Sequence, residues 1–73
     1  MQNHPTGTSD RHSAYYEAIR DADDALADAL SHVRAEEDAH RITPAEAAAE
    51  RVGLLERHLA EVQRLRRELL GGE

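Results

Sequence analysis

The chain contains no cysteine, phenylalanine or tryptophan, and two tyrosines are its only aromatic residues. Without cysteine there can be no disulfide and no thiolate metal site, so a small fold must be held together by side-chain packing. Lysine is missing as well: every basic residue is arginine. Together with the abundant alanine this points to a GC-rich coding genome, actinobacterial or phage. No apolar run approaches the roughly 20 residues of a membrane span. The opening Met1–Thr8 has neither the charged nor the apolar region of a signal peptide, so the expected location is the cytoplasm. Helix breakers are scarce too, and no glycine or proline falls between residues 8 and 43.

What is present is charge and helix-forming residues. Fifteen acidic against nine basic residues give a net charge of −6 in 73 residues. That length allows one domain at most. Phosphate-binding surfaces want basic patches, so nucleic acid is not an expected partner, whereas a negative field favours basic ones.

The pattern predicts an all-α fold, an antiparallel two-helix hairpin of coiled-coil type. Residues 1–12 are polar and read as a flexible N-terminal tail. Helix 1 is expected over about 13–40, with Ser9 to Ser13 as candidate caps. Its stripe is Tyr15, Ile19, Ala22, Leu26, Ala29, Leu30 and Val33, continued in polar form by Glu37 and His40; steps of four and three put these on one face. Thr43-Pro44-Ala45-Glu46 carries the signature of a capping box with proline at the first helical position, so the turn is expected at 41–43. Helix 2 then runs over about 44–70. Its predicted seam is Ala45, Ala48, Ala49, Val52, Leu55, Leu59, Val62, Arg66 and Leu69, closed by Gly71-Gly72. Folding at Ile42 should place Leu26 near Leu59, Ile19 near Leu65 and Tyr15 near Leu69 in a left-handed supercoil. The acidic half of helix 1 (Glu17, Asp21, Asp23, Asp24, Asp28) should then lie beside Arg57, Arg64, Arg66 and Arg67.

A second strip on helix 2, made of Ala47, Leu54 and Leu65 with His58 flanking, would face water in such a hairpin. Self-association into a four-helix bundle would cover it, since symmetric dimers are the commonest oligomers. The residues expected at interfaces are therefore Ile19, Leu26, Leu30, Val33, Val52, Leu55, Leu59, Val62 and Leu69 in the seam, with Leu54 and Leu65 in the second strip. Alternatives are one amphipathic helix docked in another protein's groove, or a lone monomer.

Three motifs bear on chemistry. Asp28, His32, Glu36 and His40 recur every four residues, but four-residue steps advance about 40° beyond a turn, so the set wraps round the helix and cannot meet one metal ion. It reads as a solvated face, with no metal and no cofactor expected. Glu37 and His40, on the stripe near the turn, read as wet rather than as an acid–base pair. Ile42–Val62 could be a helix-turn-helix with Gly53 at its turn, but the second helix would offer Leu54-Leu55-Glu56 to base edges, so an unbroken helix is preferred. No nucleophile–base set or phosphate loop can be read, and an enzyme is not predicted.

The last residues, Leu69-Leu70-Gly71-Gly72-Glu73, resemble over three positions the Gly-Gly-Glu tail of the prokaryotic ubiquitin-like protein. The resemblance implies a modifier joined to lysines through the Glu73 side chain, with Gly71-Gly72 as flexible access. The same residues also make an ordinary glycine C-cap. The preferred reading is a small acidic interaction module, regulator or adaptor, acting as a homo-oligomeric hairpin, expected to be a homodimer, that binds a further protein. Conjugation through Glu73, or mimicry of DNA toward a basic DNA-binding protein, are the alternatives.

Overall fold

A computed structural model of the chain describes residues 8–71, with side chains from residue 11 onward. It consists of two helices, α1 (Thr8–Asp38) and α2 (Pro44–Leu70), packed on each other as a hairpin. No strand occurs among the described residues. The Cα extents of 57 × 27 × 8 Å describe a slab one helix thick, so among the described residues neither helix has a third layer to cover its flanks. No helix among the described residues is long and apolar enough to cross a membrane.

Helix α1 starts five residues before the expected position 13, so residues 8–12 of the expected tail are helical. The rest of that tail, residues 1–7, lies outside the described residues. The end of α1 is a Schellman motif. Arg41 N–H donates to Glu36 O at 2.9 Å and His40 N–H to Glu37 O at 3.0 Å, which satisfies two of the last carbonyls. His40 holds the left-handed position of that motif at φ 62°, where glycine is usual. The apolar contact that often accompanies the motif is replaced by an ion pair, with Arg41 Nη1 donating to Glu36 Oε2 at 3.0 Å. The helix therefore stops at Asp38, two residues short of the expected boundary.

Helix α2 opens as its sequence dictates. Thr43 is extended (φ −80°, ψ 161°), Glu46 N–H donates to Thr43 Oγ1 at 3.0 Å, and Thr43 N–H donates to Glu46 Oε1 at 2.9 Å. Pro44 fills a first-turn position that needs no amide hydrogen. The helix runs unbroken through Gly53, which sets the helix-turn-helix aside. It ends at Gly71, φ 65°, whose N–H donates to Arg67 O at 3.1 Å. A Cβ at Gly71 would lie 4.0 Å from Arg11 Nη1, so a cation of α1 stands at the negative pole of α2.

The stripe of α1 turns inward as expected, with Val33 only 3% exposed and Tyr15, Ile19, Ala22, Leu26, Ala29 and Leu30 half-buried. The seam of α2 is a correction. Ala47 is fully buried, and Arg51, Leu54, His58, Glu61 and Leu65 are half-buried. The expected seam residues Val52, Leu55 and Leu59 are instead 54%, 50% and 58% exposed, and Ala45, Ala48, Ala49 and Arg66 are exposed as well. Only Val62 and Leu69 of that set are half-buried. Ala47, Arg51, Leu54, His58 and Glu61 each immediately precede a residue of the expected set, so α2 is rolled by one residue, about 100°. Either roll leaves leucines uncovered, and the edge left outside, with Val52, Leu55 and Leu59, is the more apolar, so hydrophobic count does not select the observed roll. Ala47 lets the backbones approach beside the turn, and two polar contacts form across the seam: Arg51 Nη2 to Glu37 Oε1 at 2.6 Å, and His58 Nε2 to Asp23 Oδ1 at 3.1 Å.

Candidate interaction surfaces

The roll leaves two different surfaces on the hairpin. The first is a ridge on α2. Ala48, Val52, Leu55, Leu59 and Val62 follow one another at steps of four, three, four and three, the spacing of a coiled-coil seam, and nothing among the described residues covers the three large residues in the middle. The next position of the same series is Arg66, which is exposed. Tyr16 on α1 is also exposed (68%), its ring edge-on to Tyr15 with centroids 5.5 Å apart.

The second surface is a shallow groove of about 610 Å³ between the helices. On the α1 side it is lined by Ala18, Ala22, Ala25 and Ala29, again at four-three-four spacing, with Leu26 on its inner edge; on the α2 side by Leu54 and Leu65, with Asp21, Arg57, His58 and Glu61 as its polar residues. A smaller depression extends it toward the turn, sharing Ala29, Leu54 and Arg57 and adding Val33 and His32. Arg57 and Leu59 are two residues apart, about 200° round the helix, so groove and ridge lie on opposite sides of the hairpin.

None of the expected pairings of the α1 acids with Arg57, Arg64, Arg66 and Arg67 forms among the described residues; Asp23 meets His58 instead. Arg64 bonds within its own helix, to Glu61 at 2.5 Å and to Glu68 at 2.9 Å. Those bonds raise the Arg64 pKa further, and the Arg64 hydrogen bond holds the Glu61 carboxyl below the ordinary glutamate value. Among the described residues, Glu17, Asp21, Asp24 and Asp28 on α1, and Glu56, Arg57, Arg66 and Arg67 on α2, have no ion-pair partner within 4.0 Å.

Of the turn residues singled out from the sequence, Glu37 is half-buried against Arg51, whereas His40 leaves the stripe and is exposed. His32 lies 3.8 Å from Glu36, which Arg41 also engages. No group of three histidine, aspartate or glutamate side chains among the described residues could hold a metal ion. Gly72 and Glu73, on which a conjugation role would rest, lie outside the described residues. Sequence reasoning missed the inward turn of Arg51 and Glu61 and the alanine-lined groove. The signal for the groove was available in the spacing of Ala18, Ala22, Ala25 and Ala29.

Comparison with known protein families, curated proteins and solved structures gives no match.

Proposed function

We propose that this chain is a small acidic protein-interaction module, a regulator or adaptor without enzymatic chemistry, that works as a homo-oligomeric hairpin. The observation that carries the reading is the uncovered row Val52, Leu55 and Leu59, each at least half exposed at heptad spacing. Fully burying such side chains is worth about 1.5–3 kcal/mol each, and half of that is still available here. A slab one helix thick has no means of its own to collect it. Sedimentation equilibrium over a micromolar to millimolar range tests the reading. Assemblies heavier than the 8.1 kDa monomer are expected, and Leu59→Asp should disperse them. A wild-type chain that stays at 8.1 kDa throughout would end it.

A second reading rests on the row Glu17, Asp21, Asp24 and Asp28, exposed and without cationic partners among the described residues. Such a row could occupy the phosphate-binding surface of a basic DNA-binding protein. Binding of that kind would fall steeply with salt and with Asp24→Asn, and would be indifferent to Leu59→Asp; the reverse pattern would exclude it.

A further inference from the structure

We infer that the hairpins assemble head to tail, the ridge of one copy seated in the alanine groove of the next. This rests on the self-association proposed above and adds its geometry. The two surfaces fit in length: Ala18 to Ala29 and Val52 to Val62 are both about 15 Å at 1.5 Å per residue. They fit in relief, because a valine–leucine row needs small residues opposite it for helices to approach, and the groove supplies four alanines at matching steps.

Charge selects the direction. Let the incoming α2 run antiparallel to the receiving α1, in the register that α1 already uses with its own α2, where Asp23 meets His58. Leu59 then comes level with Ala22, Leu55 comes level with Leu26 beside Ala25, and Arg66 comes level with Tyr15, on the N-terminal half of α1 that carries Glu17. The outer flank of the ridge turns toward the receiving α2 and brings Glu56 level with Arg57, each without an ion-pair partner among the described residues of its own chain. A ridge packed on a second ridge would instead leave both grooves open and these charges unmatched. Because ridge and groove lie on opposite sides of one hairpin, the contact is heterologous. It repeats from copy to copy and ends in a ring or an open stack, not in a closed pair.

The test is complementation. Leu59→Asp spoils the ridge and keeps the groove; Ala25→Arg fills the groove at an exposed position and keeps the ridge. Wild type is expected to grow beyond a dimer with concentration. Each variant, shown helical by circular dichroism, is expected to sediment at 8.1 kDa alone, and an equimolar mixture at twice that mass. Glu56→Arg should weaken wild-type assembly at least tenfold, and Arg57→Glu added to it should recover most of the loss; neither exposed change threatens the fold. If Ala25→Arg alone assembles like wild type, or if the mixture stays monomeric while wild type assembles, the head-to-tail contact is wrong although self-association stands. A wild-type chain that never leaves 8.1 kDa removes both.

Discussion

His58 Nε2 lies 3.1 Å from Asp23 Oδ1, a contact between the two helices that forms only with the 47/54/58/65 edge of α2 turned inward. The same roll exposes Leu59, the residue next to His58. Covered and uncovered leucines therefore alternate along one helix, and their substitution costs should separate. At concentrations where the chain is monomeric, Leu54→Ala is expected to cost about 2 kcal/mol, near the low end for partly buried leucines. Leu59→Ala should stay within about 0.5 kcal/mol, as at an ordinary surface site. Urea unfolding of the two variants measures this; equal losses, or a larger one at Leu59, would restore the other roll.

His40 holds a left-handed conformation at φ 62° that costs a non-glycine residue about 1 kcal/mol. Histidine tolerates the region better than most side chains, and it is exposed, so nothing is lost on removing its ring. His40→Gly is expected to stabilise the hairpin by up to about 0.5 kcal/mol once the greater freedom of glycine in the unfolded chain is subtracted. Thermal unfolding should show a rise of a few degrees; a fall would mean that the imidazole makes a contact of its own.

Gly53 sits in mid-helix with ordinary helical geometry, and a Cβ there would meet only Arg57 Nη2, at 3.9 Å. Gly53→Ala should therefore gain close to the full propensity difference, about 1 kcal/mol. A loss of helical circular dichroism on this substitution would show that the chain breaks at Gly53 after all.

The Glu61 carboxyl, held below the ordinary glutamate value by its bond to Arg64, is charged over a wider range in the folded chain than in the unfolded one. Its favourable contribution is present above the unfolded glutamate pKa and is lost as pH falls through the depressed folded value. Carboxyl carbon shifts followed by NMR should show Glu61 titrating at lower pH than glutamate in the unfolded chain. Arg64→Gln should move its midpoint upward, and no movement would assign the effect to something other than that hydrogen bond.

Local signals were legible where local hydrogen bonds decide the outcome. Thr43, Pro44 and Glu46 announced the start of α2, and Gly71 its end, because caps depend on residues a few positions apart. The stripe of α1 was legible because it has one apolar face with acids behind it. The roll of α2 was not. Its apolar arc runs from Ala47 through Leu54 to Leu55 and Leu59, wider than one partner helix can cover, and a count of hydrophobic side chains prefers the edge that stays outside. What turns the other edge inward is the small size of Ala47 and the reach of Arg51 and His58 to Glu37 and Asp23, contacts between residues 14 and 35 positions apart. Periodicity on a single helix holds no record of them.

The turn has a consequence for how the chain reaches this structure. From the Glu36 carbonyl to the Glu46 carboxylate, every contact that seals it joins partners no more than five residues apart, so little loop entropy is lost in forming it. Val33 and Ala47, the two buried residues among those described, lie just beyond. The expected order of events is a zipper that closes from residues 36–46 outward at the high speed of low-contact-order chains. The Arg11–Gly71 end would join last and open first, giving a gradient of hydrogen exchange along both helices.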